Sequence, residues 1–154
     1  MIREATFDDI LHVCKHMRKD DYEEVMANRW DSSVEAFAKE CENLPGVTVV
    51  AVVGGIPVAI GGVALWIPGV GQAWMICTDE IGKSGVRMIH ACKKILNSMI
   101  DNGVVHRIQA FSIASHRRAH RWLQAVGLKK EAVMPCYGKN KEDFIVFSML
   151  GDKK

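Results

Sequence analysis

The apolar positions of this chain change period several times, and each change marks an element. Arg107–Ile113 (RIQAFSI) alternates as a buried strand does. From Ser115 to Val126 the period lengthens. Ala119, Trp122, Leu123 and Val126 recur at i, i+3, i+4 and i+7 and form one apolar helix face, with Arg117, Arg118 and Arg121 off it. Gly127 stands where a left-handed cap ends such a helix, and Phe144–Leu150 (FIVFSML) returns as a strand. Pro135, Gly138 and the charged run Lys139–Asp143 predict a loop or hairpin before it.

The same reading covers the first two thirds. Met1–Ala5 is a short strand. Thr6 with Asp9 makes a capping-box pattern, and Ile10, Leu11, Cys14 and Met17 line the helix that follows. Ser32 with Glu35 repeats the cap for a second helix, Val34–Glu42, while Asp20–Arg29 reads equally as helix or ordered loop. Val47–Val53, a Gly54-Gly55 hairpin turn and Pro57–Ile67 form two antiparallel strands. Pro68-Gly69 and Gly71 turn the chain into a third, Gln72–Thr78. Ser84–Ile100 is a helix with Val86, Ile89, Cys92, Leu96 and Met99 toward the core, stopped by Asn102-Gly103. The order β, α, α, β, β, β, α, β, α, β predicts an α+β fold in one domain over 1–154, its mixed, mostly antiparallel sheet flanked by helices.

Composition narrows the functional classes. The chain has 154 residues, 49% hydrophobic and 25% charged, with a formal charge of +2. That balance points to neither a nucleic-acid nor a membrane partner. The longest apolar stretch, Val47–Val70, is broken by Gly54, Gly55, Pro57, Gly61, Gly62 and Pro68, so it reads as strands. The opening MIREATFDD lacks the apolar run of a secretory leader. The odd count of five cysteines, without a CxxC pair, predicts reduced thiols.

Several residues carry candidate chemistry, each beside a plainer role. Gly82-Lys83-Ser84 looks like the end of a P-loop, but the full motif needs glycine at 77, where Cys77 stands. Gly82 and Gly85 instead suit an anion nest at a helix N-terminus, with Lys83 or Arg87 adding charge; the plainer role is a helix-start loop capped by Ser84. His12/His16 and His116/His120 have metal-compatible i, i+4 spacing but no adjacent carboxylate pattern, so no metal site is expected. Arg117, Arg118 and Arg121 fit phosphates or a solvated face. Asp79 or Glu80 could serve as a general base, and Asp79 equally as a helix cap. No residue is assigned as catalytic from the sequence.

The last helix, His116-Arg-Arg-Ala119-His-Arg-Trp122-Leu123-Gln-Ala-Val-Gly127-Leu128, resembles the Asn-x-x-Ala-x-x-Leu-Tyr-x-x-x-Gly-Phe pattern of the GNAT superfamily of N-acetyltransferases. The loop Thr78-Asp-Glu-Ile-Gly82-Lys83-Ser84-Gly85-Val-Arg87 resembles its pyrophosphate-binding Arg/Gln-x-x-Gly-x-Gly/Ala loop, with altered spacing. The resemblance extends over nearly the whole chain. MIREAT, Trp74–Asp79 and the final helix are similar to a GNAT-like subgroup of tailed phages that includes proteins described as internal virion protein A. It implies that two neighbouring parallel strands splay apart to admit acetyl-CoA between Gln72–Thr78 and Arg107–Ile113. Ile76, Cys77 and Thr78 would then pair with pantetheine, Gly82, Lys83, Ser84 and Gly85 would cradle the pyrophosphate, and His116 would replace the asparagine that helps hold the pantetheine arm. Leu123 occupies the position of the tyrosine that protonates the departing thiolate, and leucine has no proton to give. The resemblance thus implies an acetyltransferase with a degenerate site, acting on a small-molecule or protein amine, in a host cytoplasm. Its alternative is a non-catalytic virion or assembly component contacting other virion proteins.

Overall fold

The structure, a computed structural model, describes residues Met1–Lys153, and the Lys83 side chain lies outside the described residues. Seven strands form one sheet in the order β1-β2-β3-β4-β5-β7-β6. They are β1 (Ile2–Glu4), β2 (Thr48–Val53), β3 (Ile56–Ile67), β4 (Val70–Cys77), β5 (Arg107–Ile113), β6 (Lys129–Met134) and β7 (Phe144–Leu150). Every pairing is antiparallel except β4 with β5. The helices are α1 (Phe7–Lys15), α2 (Lys19–Met26), α3 (Val34–Glu42), α4 (Gly85–Asp101) and α5 (Arg117–Val126), with a 3₁₀ turn over Asp79–Ser84 before α4. The mixed α+β architecture read from the sequence is the one observed.

Strand alternation sends side chains to two faces. Val50, Ile60 and Ile76 meet Ile10, Val13 and Cys14 of α1 and Ala38 and Cys41 of α3. On the other face Ile108, Ala110 and Phe147 pack under Leu96 of α4 and Val126 of α5. The Thr6–Asp9 capping box is present, and Arg3 grips the Asp9 carboxylate with both terminal nitrogens. Glycines allow close strand contacts: a Cβ at Gly71 would lie 2.4 Å from Val63 Cγ1. Gly71 therefore belongs inside β4 rather than to the turn before it.

Three further expectations need correction. The second capped helix starts from Ser33, whose hydroxyl accepts from Ala36 N–H at 3.1 Å, so Ser32 is not its cap. Val86 is 63% exposed and Met88 takes the inward position in the first turns of α4, while Ile89, Cys92, Leu96 and Met99 pack on the core as expected. The sequence pattern assigns no strand to KKEAVM, which does not alternate; it forms β6, a largely exposed edge strand whose charges suit an unpaired edge, and it makes with β7 the hairpin that the Pro135–Asp143 segment allows.

Candidate active site

β4 and β5 pair at Val70/Arg107, Gly71/Ile108 and Gln72/Gln109, and pairing stops there. β4 runs on to Cys77 and β5 to Ile113, diverging around a cleft of about 660 Å³. Met75 and Phe111 line it from the strands, and Ala119, Trp122 and Leu123 from α5. The apolar face predicted for the last helix is thus a cleft wall as well as a core contact. The Thr78 N–H donates to Val58 C=O at 2.9 Å, which sets the alternation along β4. Trp74, Ile76 and Thr78 turn their backbone groups to β3, whereas Ala73, Met75 and Cys77 turn theirs toward β5. From the other side, Ala114 N–H donating to Asp143 C=O leaves Phe111 and Ile113 facing β4.

Helix α2 closes the wide end of this V with two carboxylates one helical turn apart. Asp21 accepts from Cys77 N–H of β4 at 2.9 Å, and Glu24 accepts from Ile113 N–H of β5 at 2.7 Å. Cys77 C=O is taken by Arg18 N–H at 2.9 Å. The Arg18 guanidinium donates to both oxygens of Asp21, at 3.1 and 3.2 Å. His116 Nε2 donates to Asp21 at 2.7 Å, and when the ring is neutral its Nδ1 accepts from Ala119 N–H at 3.4 Å.

The two carboxylates differ in electrostatics. Burial pushes the Asp21 carboxyl up, but the hydrogen bonds from His116 and Arg18 outweigh it and hold the group below its ordinary value. Burial also lowers His116, yet its bond to Asp21 and the Glu24 and Asp21 charges leave it above the usual histidine value. Glu24 has no cation bonded to it among the described residues. Burial raises its pKa, and the Ser112 hydroxyl, the His116 charge and Ile113 N–H do not offset that. Ser112 is 1% exposed, stands beside Glu24, and its Oγ has no well-aligned partner among the described residues.

At the 3₁₀ turn, Gly82 adopts φ 40° and ψ −127°, which favours glycine. Among the described residues no side chain caps α4 and its first turn carries no acid; the Gly85 N–H donates to Gly82 C=O, so an anion would be met by the N–H groups that follow it. A Cβ on Gly85 would meet only Trp122, at 4.0 Å, and one on Gly82 nothing within 4 Å. Arg118 lines the cleft, whereas Arg117 and Arg121 lie on the exposed side of α5.

Of the residues singled out in the sequence, Ile76, Cys77, Gly82 and Gly85 line the cleft; Thr78, Ser84 and His116 do not. Ile76 and Thr78 aim their backbones at β3, and the Cys77 backbone is already held by α2. The Cys77 thiol, pushed up to about 12 by burial, is protonated. His116 points inward as the cap of α5 and the partner of Asp21. Lys83 lies outside the described side chains. Asp79 lines the cleft from an exposed position, and Glu80 is exposed. The sequence reading missed Arg18, Asp21, Glu24 and Ser112. A signal was present: Asp21, Glu24 and Val25 recur at i, i+3 and i+4, the phase of an inward stripe.

No model of a protein family matches the sequence, and no curated protein matches it. Solved structures do match the fold. An acetyltransferase of the GNAT family from Bacillus anthracis superposes with a TM-score of 0.74 at 15% identity, covering 97% of this chain and 93% of that one. The ribosomal-protein-S5-alanine acetyltransferase from Vibrio fischeri gives 0.67 at 18%, covering 99% and 93%. The protein yncA from Salmonella typhimurium, solved with its cofactor acetyl-CoA, gives 0.70 at 15%, covering 100% and 95%. The chain has the GNAT acyl-CoA N-acyltransferase fold. Among the described residues no helix is long and apolar enough to cross a membrane, and no three His, Cys, Asp or Glu side chains gather as metal ligands.

Proposed function

We propose that this protein is an acetyl-CoA-dependent N-acetyltransferase that uses the cleft between β4 and β5. The observation that carries this reading is the parting of two adjacent parallel strands beyond Gln72 and Gln109, with an uncapped helix N-terminus following one of them. The chain's own groups suit the thioester. Ala73 and Met75 on β4 and Phe111 on β5 face the gap with backbone groups that can hold an amide-bearing arm as a strand would. The first turn of α4, with Gly82 and Gly85 leaving its approach open, suits a pyrophosphate. Trp122 and Leu123 shield the reacting centre from water. Bound there, acetyl-CoA supplies an acyl carbon, and the protein orients the amine toward it and stabilises the oxyanion with backbone N–H. Titration calorimetry with acetyl-CoA tests binding, and release of free CoA with an added amine tests turnover.

A second reading rests on Leu123. It lines the cleft on α5 where the resemblance expects a tyrosine, and a side chain without a proton cannot protonate a thiolate. In that reading the fold is a virion or assembly component of a tailed phage, as its sequence resemblance suggests, contacting other virion proteins without turnover. Saturable acetyl-CoA binding with CoA release contradicts it.

A further inference from the structure

We propose that Glu24 is the proton acceptor of this site, taking a proton from the ammonium group of an amine substrate whose nitrogen sits in the cleft beside α2. The inference rests on the acetyltransferase reading above. Four observations support it. Glu24 and Asp21 both line the cleft, one helical turn apart, but only Asp21 is ion-paired, to Arg18 and His116. Glu24 is fixed by a single backbone donor, Ile113 N–H at 2.7 Å, which leaves lone pairs on its carboxylate for a substrate. The buried Ser112 hydroxyl beside it has no aligned protein partner and can relay or receive a hydrogen bond from the same amine. Val25, Phe111 and Ala119 also line the cleft, and burial among apolar groups disfavours charge on both partners.

That last point gives the direction of proton transfer. Desolvation raises a carboxyl pKa and lowers that of an ammonium, so a buried ammonium–carboxylate pair shifts toward the neutral amine and carboxylic acid. The charged and titratable groups facing Glu24 are Asp21 on its own helix and His116 at the start of α5, with Arg18 behind Asp21; Ser112 and Ile113 face it from β5. Asp21 opposes ionisation of Glu24 and His116 favours it, with burial the largest influence. The step balances as follows. One ammonium proton passes to Glu24, and the nitrogen lone pair forms the C–N bond at the acetyl carbon. The C–S bond breaks with its electron pair on sulfur, and a second nitrogen proton ends on that thiolate. The products are the N-acetyl amide and free thiol, and Glu24 returns its proton to solvent. Asp79 is less suited to this role, being exposed on the turn that leads into α4.

The test compares the full-length parent with Glu24→Gln and Glu24→Asp, using acetyl-CoA with n-butylamine and with a lysyl peptide. Glu24→Gln keeps an acceptor for Ile113 N–H, and Glu24→Asp keeps the charge but withdraws it by one methylene. The expected result is an acetyl-CoA Kd within about twofold of the parent for both variants. CoA release by Glu24→Gln should fall at least 10²-fold in kcat/KM, the scale of a lost general base. The parent's acid limb in kcat/KM should disappear in Glu24→Gln and persist in Glu24→Asp. A smaller loss in Glu24→Gln, or an unchanged acid limb, overturns the assignment. A parent that binds acetyl-CoA but acetylates neither amine overturns it too, leaving cofactor binding intact. A parent that does not bind acetyl-CoA overturns the acetyltransferase reading itself.

Discussion

Asp21 holds the two diverging strands to helix α2 and is the side chain on which the wide end of the cleft most depends. It is 4% exposed and accepts from Arg18, Cys77 N–H and His116. Asp21→Asn leaves Arg18 and His116 without their counter-charge, and breaking a buried pair in this way should cost about 3–5 kcal/mol. Equilibrium denaturation reads that cost directly. The pH dependence has a defined sign. Asp21 is held below its ordinary value, so its contribution is present above the usual aspartate range and lost as pH falls through its lowered pKa. His116 is held above its ordinary value, so its contribution is complete below the usual histidine range and lost as pH rises through its raised pKa. Thermal denaturation across pH should show a plateau between those limits, and Asp21→Asn should flatten both flanks; flanks unchanged in that variant would contradict this assignment. The sequence did show these acids, at Asp20–Glu24, but not their roles. Charge at a helical spacing is the same whether the face meets water or a sheet, and only the packing of α2 against the ends of β4 and β5 separates Asp21 and Glu24 from the exposed Asp20 and Glu23.

At the scale of elements, legibility followed periodicity. Helix α5 was readable to its last residue because its apolar stripe, its Arg residues and the cap at Gly127 (φ 110°) all agree. The start of helix α1 was equally clear from its capping box, but Met17, expected on its face, lies beyond the helix end at Lys15 and bridges to Thr78. Helix α2 was not, since Arg18 makes no side-chain cap and the helix is short and acidic; tertiary hydrogen bonds hold it in place. Edge strand β6 carries no alternation because it has little to bury. Trp122 is half-buried between the two clusters under α4 and α5, so Trp122→Ala should cost about 3 kcal/mol, the low end for a large aromatic. The exposed Arg118→Ala should stay within about 0.5 kcal/mol. Urea denaturation of both variants checks the helix phase; equal effects would show that α5 is rotated from the orientation described.

Over the whole molecule, the division of labour follows the V in the sheet. Its paired end, at Val70–Gln72 and Arg107–Gln109, is sealed by the core under α4 and α5. Its wide end, spanned by α2, collects the groups able to do chemistry, as expected at the carboxyl ends of parallel strands. Six of the seven strands were readable from the pattern and the V from the resemblance, whereas β6 and its place outside β7 were not. The backbone direction of each residue was not, because a one-residue change of register exchanges the groups that face the gap: Met75 rather than Ile76 or Thr78 faces it. Leu123 sets the remaining question of rate. A positioned acid typically contributes about 10²–10⁴-fold where a proton must be delivered in the transition state. Leu123→Tyr is therefore expected to raise CoA release in an active site and to leave a non-catalytic scaffold silent.

The most direct measurement is titration calorimetry of acetyl-CoA into the parent protein and into Gly85→Val. Gly85 has an ordinary helical backbone and open space at its Cβ, so valine should leave the fold intact while crowding the first turn of α4. The predicted result is saturable binding of one acetyl-CoA per chain, weakened at least tenfold in Gly85→Val, about 1.4 kcal/mol, with a melting temperature within a few degrees of the parent. Absence of binding in the parent, or equal affinity in the two proteins, would contradict the assignment of the cleft between β4 and β5 as the site of acetyl-CoA.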